Sequence, residues 1–136
     1  MELNIRKLQE GDYEEILVGW WKDWRWDAPP KDFLPENGLG GLIVYAGETP
    51  VCAGFIYLTN SKVSWCDWII SNFHYREKEN RKKAIHMLIK SMNKLAEGVG
   101  SKYLYALIKN DSLIETYKEL GYVQGSRYNT ELIKKI

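Results

Sequence analysis

Leu42 to Ser71, LIVYAGETPVCAGFIYLTNSKVSWCDWIIS, is the stretch that decides the fold class. It holds three apolar segments, Leu42 to Ala46, Val51 to Thr59 and Val63 to Ser71, rich in β-branched and aromatic residues. Such residues suit a pleated, half-buried surface. Gly47-Glu48-Thr49-Pro50 and Asn60-Ser61-Lys62 separate the segments with turn-forming chemistry. Three strands joined by short turns predict an antiparallel meander.

On the N-terminal side, Leu3 to Leu8 reads as a short strand, followed by a turn at Glu10-Gly11-Asp12. From Tyr13 the apolar positions Ile16, Leu17, Trp20, Trp21 and Trp24 follow helical spacing, which must stop before Pro29 and Pro30. Asp27 to Gly41 reads as a long loop, and loops of that length are usually functional or flexible. On the C-terminal side, the polar run His74 to Lys83 leads into a helix that buries Ala84, Ile85, Leu88, Met92, Leu95, Ala96 and Val99 and stops at Gly98 or Gly100. Lys102 to Ile108 is apolar on both faces and predicts a strand buried between layers. Ser112, three residues before Glu115, has the capping-box form, and the helix it opens carries Leu113, Tyr117 and Leu120 inward as far as Gly121. Two short strands, Tyr122 to Gln124 and Thr130 to Ile133, complete the pattern. The expected order is β-α-loop-β-β-β-α-β-α-β-β, packed as a mixed α/β sheet with helices on both faces, in a single domain over residues 1–136.

Composition narrows the function classes. Nineteen Lys+Arg against 18 Asp+Glu, a net charge of +1, disfavours a uniformly basic nucleic-acid grip. Two cysteines, Cys52 and Cys66, sit in apolar stretches without CxxC spacing, so reduced, buried thiols are expected rather than a disulfide scaffold or zinc site. Two histidines cannot build a metal site by themselves, and no metal is expected. The first nine residues lack an apolar signal core, and no apolar run reaches the ~20 residues of a membrane span. A cytoplasmic protein without membrane association is expected. No Gly-x-Ser-x-Gly elbow, Walker loop or GxGxxG occurs. One feature is out of proportion: four of the six tryptophans, Trp20, Trp21, Trp24 and Trp26, fall within seven residues.

Asn110 to Tyr122, NDSLIETYKELGY, places Tyr117 seven residues after Asn110 and ahead of Lys118, Glu119, Leu120, Gly121 and Tyr122. This stretch, with the element order from about Leu42 to Gln124, resembles the GCN5-related N-acetyltransferase (GNAT) family. The resemblance implies a mostly antiparallel mixed sheet, acetyl-CoA as cofactor and acetyl transfer to an amine, carried by a small molecule or a peptide. It implies that Tyr117 protonates or stabilises the departing sulfur, a task a neutral phenol can perform. From spacing alone, Tyr117 reads first as a core tyrosine, on the face with Leu113 and Leu120.

By the same resemblance, backbone groups of Ile69, Ile70 and Ser71 would pair with pantetheine, Asn110 would belong to the cofactor set, and an acid on that strand, nearest Asp67, would act as base. Read from the residues, Asp67 is alternatively a solvent-facing acid or a partner for a lysine; His74 ranks below it as base. Family members cradle the CoA pyrophosphate on a glycine-rich helix entry. Here that entry has no glycine but carries Arg76, Lys78, Arg81, Lys82 and Lys83 against two acids, with Arg81 to Ala84 as the better register. Charge could replace close backbone approach there. Trp24 reads as core with Trp20 and Trp21, and Trp26 as cover for the helix edge; alternatively Trp24, Trp26 and the Pro29–Pro35 loop wall the acceptor pocket, suited to a flat, apolar or cationic ligand. A GNAT-shaped binding protein without transferase activity is the alternative, and the chain could pair as a homodimer.

Overall fold

In the computed structural model, which describes residues 2–136, the meander forms the middle of a five-stranded sheet in the order β1-β2-β3-β4-β5. β1 (Leu3–Lys7), β2 (Gly41–Ala46), β3 (Thr49–Leu58) and β4 (Val63–Ser71) pair antiparallel, and β5 (Tyr103–Tyr105) joins β4 in parallel. The parallel step requires a crossover, supplied by α2 (Lys78–Gly98). The sheet is thus mixed and mostly antiparallel, as expected.

Alternation along the strands sorts side chains into two cores. On one face Val44, Cys52 and Cys66 pack with Ala84, Leu88, Ile89 and Met92 of α2 and with Tyr117 of α3 (Asp111–Glu119). On the other, Ile43, Ala53, Phe55 and Ile70 pack with Leu17, Trp20 and Trp21 from a π-helical turn, Tyr13–Leu17, and α1 (Val18–Asp23). The first helix ends earlier than the proline rule requires, at Asp23, and Arg25 turns the chain in the left-handed region at φ +63°. The long loop is folded: its Pro29 carbonyl accepts from the Tyr13 hydroxyl at 2.6 Å, its Phe33 carbonyl accepts from the Tyr57 hydroxyl at 3.0 Å, and Leu34 is buried. Beside α1, Arg6 grips buried Asp12 with two nitrogens at 2.8 and 3.1 Å. Both cysteines are buried and free.

Three expectations require correction. β5 is shorter than Lys102 to Ile108 and is not buried on both faces: Leu104, Ala106 and Ile108 pack on the core, while Tyr103 is 66% exposed. It is the last strand in the sheet, so only one face and one edge are covered. The two final strands do not form; beyond Gly121 the chain has neither strand nor helix. A hairpin is marginal alone, and three-residue β5 offers it little edge to join. The cap of α3 is Asn110, whose side-chain oxygen accepts from the Leu113 N–H at 2.9 Å, and Ser112 lies inside the helix. Asn110 sits at extended φ/ψ, the conformation an N-cap needs.

Candidate functional site

The two parallel strands part company early. Their register holds only for Val63–Tyr103, Ser64–Leu104 and Trp65–Tyr105, whereas β4 runs on to Ser71. Past Trp65 the backbone groups that a longer ladder would join are met by side chains. The Cys66 carbonyl accepts from the Tyr117 hydroxyl at 2.6 Å, and the Leu107 N–H donates to Asp67 Oδ2 at 3.0 Å. The gap between β4 and β5 therefore brings together Tyr117 and Asp67, the two residues expected to act in catalysis.

On its other edge, β4 carries a bulge. Phe55 pairs with Asp67 and Ala53 with Ile70, so Trp68 and Ile69 share the position opposite Gly54. Trp68 adopts φ +56°, a conformation bulky L-residues rarely take. Gly54 is required here by space: a Cβ on it would lie 2.7 Å from Ile69 Cδ1 and 3.0 Å from Met92 Cε.

Burial sets the chemistry of the gap. It pushes the Asp67 carboxyl above the usual range, against the opposing pull of the Leu107 and Trp68 N–H groups. It raises Tyr117 far above a free phenol, reinforced by the Asp67 charge and by Tyr122 and Cys66, so Tyr117 is a neutral donor at any ordinary pH. Tyr122 is raised for the same reason; its ring meets Tyr117 edge-on at 4.8 Å and its hydroxyl donates to Asn93 Oδ1 at 2.7 Å. The Cys66 thiol is pushed up to about 11 by burial, which removes it as a nucleophile near neutral pH.

The basic stretch divides. α2 starts at Lys78, so the Arg81 N–H already donates to the Glu77 carbonyl at 2.9 Å, and Ala84 is fully buried against the sheet. The register from Arg81 to Ala84 therefore cannot form a phosphate loop: it lies inside the helical ladder. The unpaired N–H groups of the first turn belong to Lys78, Glu79 and Asn80, and Glu77 provides no side-chain cap. The Arg81 guanidinium turns back to the Tyr75 carbonyl at 3.4 Å, and Arg76 lies 5.2 Å over the Phe73 ring. Lys82 and Lys83 line a cavity of about 300 Å³ between α2 and α3, with Glu79, His86, Thr116 and Glu119. Sequence reasoning missed His86 and Thr116, which share a site only because α2 and α3 pack side by side.

At the end of β4, the Trp24 indole N–H donates to the Ser71 carbonyl at 2.8 Å, and its ring stacks on Trp26 at 5.7 Å. Trp20 and Trp21 are core, while Trp26 is 56% exposed. Phe73 meets Trp24 edge-on at 4.9 Å, and His74 lies 3.3 Å from Asp23. Of the pantetheine candidates, Ser71 and Ile70 are laddered to Cys52 and Ala53, and the Ile70 side chain is core. Asn110 gives its side-chain oxygen to the cap of α3.

This sheet order, its parallel crossover and the parting of β4 from β5 define the fold of the GCN5-related N-acetyltransferases. Among solved structures, the chain superimposes on a mutant of TTHA1254 from Thermus thermophilus with a TM-score of 0.71, at 14% identity over 97% of this chain and 98% of that one. Glucosamine-6-phosphate N-acetyltransferase from Arabidopsis thaliana gives 0.66, at 10% identity over 98% and 100%. The aminoglycoside acetyltransferase AAC(6')-Iy, in complex with a CoA-containing bisubstrate analogue, gives 0.65, at 15% identity over 99% and 100%. No protein-family model matches the sequence, and no curated protein matches it. Among the described residues no helix is long and apolar enough to cross a membrane, and no group of three His, Cys, Asp or Glu could hold a metal ion.

Proposed function

We propose that the protein is an acetyl-CoA-dependent N-acetyltransferase. The observation that carries this reading is the gap between β4 and β5, with the Tyr117 hydroxyl and the Asp67 carboxyl reaching into it from α3 and β4. The structural relatives include acetyltransferases whose named acceptors are as different as glucosamine-6-phosphate and an aminoglycoside. They support the reaction type and leave the acceptor to this chain's own residues.

The residues present fit the cofactor. The uncapped first turn of α2 suits a diphosphate, because its free N–H groups and helix dipole favour negative charge. Lys78, Lys82 and Lys83 add charge in place of the missing glycines, with Arg76 and Arg81 close behind. When bound, acetyl-CoA supplies a thioester that the acceptor amine attacks: the C–N bond forms, the C–S bond breaks and the sulfur leaves as a thiol. Tyr117 would turn its hydroxyl from the Cys66 carbonyl to give the leaving sulfur a hydrogen bond, and the proton the sulfur finally takes is the one the amine loses. Asp67, raised by burial, receives the proton that the amine gives up. The backbone N–H of Ile69, in the bulged part of β4, would polarise the carbonyl. Trp24 and Trp26 form the outer wall of the acceptor pocket.

A calorimetric titration with acetyl-CoA tests this reading. Saturable binding is expected, and the double variant Lys82→Ala/Lys83→Ala should bind more weakly with a shallower dependence on salt, because screened charge contacts have been removed. An unchanged affinity in that variant would leave the start of α2 as an ordinary solvated helix end. A second reading, a GNAT-shaped binding protein without transfer, draws on the hydrogen bonds that already satisfy Cys66 and Leu107. Absence of acetyl-CoA binding at millimolar concentration would favour it.

A further inference from the structure

Beyond α3 the chain carries large apolar side chains into solvent. Leu132 is 89% exposed, Ile136 is fully open, and Val123, Tyr128 and Ile133 are exposed with them. Tyr128, Leu132, Ile133 and Ile136 recur at i, i+4, i+5 and i+8, the spacing of one helical face, and Lys134 and Lys135 flank that stripe. An apolar stripe on an irregular arm gains by burial against a surface of matching chemistry.

Such a surface lies beside the last turn of α2. There Leu42, Ile56, Leu58, Leu95, Ala96 and Val99 line a cavity of about 200 Å³, and Leu58, Leu95 and Val99 stand exposed at its mouth. It is smaller than the ~300–1,000 Å³ pockets that enclose whole small-molecule ligands, so it fits a few aliphatic side chains of a protein segment. Its charge narrows the choice. The C-terminal end of α2 is the negative end of the helix dipole, Glu97 lies in that last turn, and Glu36 and Lys7 also line the groove. An apolar segment with basic neighbours is complementary to it. Leu132-Ile133-Lys134-Lys135-Ile136 has that composition, and Glu131 just ahead of it complements Lys7.

Within one chain the arm and the groove lie on opposite sides of α2. The root of the arm is fixed at Tyr122, whose hydroxyl donates to Asn93 at 2.7 Å and whose ring meets Tyr117 of α3. Tyr117 is in turn tied to β4, whereas the groove takes its sheet residues from β1, β2 and β3. The exposure of Leu132 and Ile136 shows that the arm does not enter its own groove. We propose that the arm belongs in the groove of a second copy: in a two-fold dimer, the Leu132–Ile136 stripe of each chain fills the groove between α2 and β3 of the other. The same contact is then made twice, as closed two-fold symmetry requires. Asp67 and Tyr117 lie outside the groove, so this dimer does not depend on the transferase reading.

Sedimentation velocity on the full chain over a wide dilution series tests this. A reversible dimer is expected, and Leu132→Asp should raise its dissociation constant at least about tenfold, the worth of burying one leucine. Leu132 is exposed in its own chain, so the melting temperature of the diluted protein should not move. Val123→Asp, as exposed but off the stripe, should leave the dimer unchanged. Val99→Lys alters the groove instead, at an exposed position where a cation suits the helix end and repels Lys134 and Lys135. At concentrations where neither variant dimerises alone, mixing Val99→Lys with Leu132→Asp should give a heterodimer, because one intact arm then meets one intact groove. A monomer at every concentration overturns the proposal, as does a dimer indifferent to Leu132→Asp, one weakened equally by Val123→Asp, or a mixture that fails to pair. A monomer whose melting temperature falls with Leu132→Asp places the arm in its own groove and also overturns it.

Discussion

Replacing Tyr117 by phenylalanine should lower kcat by about 10²–10³-fold if its hydroxyl serves the leaving sulfur as proposed, the worth of one aimed hydrogen-bond donor. The variant keeps the ring, so contacts with Tyr122 and the core remain. It also removes the donor that satisfies the Cys66 carbonyl, and a buried acceptor left without a partner costs about 1–3 kcal/mol. The variant should therefore be both slow and measurably less stable. Its affinity for acetyl-CoA should change little. Because burial raises Tyr117 far above a free phenol, the pH–rate profile of the parent should show no fall at high pH from loss of this proton. The measurements are kcat, affinity for acetyl-CoA and melting temperature. Full activity in a folded Tyr117→Phe protein would return the residue to the core and take its catalytic role away.

The second large effect concerns Gly41, at the start of β2. A Cβ there would collide with the Gly54 carbonyl oxygen of the neighbouring strand. The obstacle is backbone, and Gly41 cannot move aside: its own carbonyl accepts from the Leu8 N–H at 3.0 Å, and its residue pair in the ladder is Phe55. Overpacking typically costs about 1–3 kcal/mol, and with no side chain to yield, Gly41→Ala should reach or exceed the top of that range. At this chain length that is a drop of roughly 10 °C in melting temperature. Gly19→Ala is the contrast. It lies inside α1 with nothing within 4 Å of the added Cβ, and it should stabilise by about 0.5–1 kcal/mol. A Gly41→Ala protein as stable as the parent would mean that β2 and β3 are less closely coupled than the ladder indicates.

The meander from Leu42 to Ser71 was legible because local signals agreed there: β-branched runs, turn residues and short spacings all point to antiparallel pairing. Tyr117 was legible as an inward residue from its spacing with Leu113 and Leu120. What the sequence could not convey was anything decided by two distant segments at once. Ser112 and Asn110 can both cap a helix, and the choice depends on the extended backbone at Asn110. The alternation in Lys102 to Ile108 is apolar on both faces, and only the sheet order reveals that Tyr103 and Tyr105 lie on the face that stays partly open to solvent. The Arg81 to Ala84 register failed because α2 begins at Lys78, which depends on where β4 delivers the chain. The link between Asp67 and the Leu107 N–H spans 40 residues and follows from the divergence of two strands, a property no window of sequence contains.

Trp68 carries a final consequence. Holding an L-residue in the left-handed region costs roughly 1–2 kcal/mol, and here that tension sits midway along a central element, beside the gap. The outer half of β4 should therefore open at a lower free energy than the inner half, which is clamped by the parallel pairing to β5. Amide hydrogen exchange should divide this one strand into a slow segment up to Trp65 and a faster one beyond it. Anything that binds the closed form should slow the fast segment selectively, making the strand a built-in reporter of occupancy that can be read before any turnover is measured.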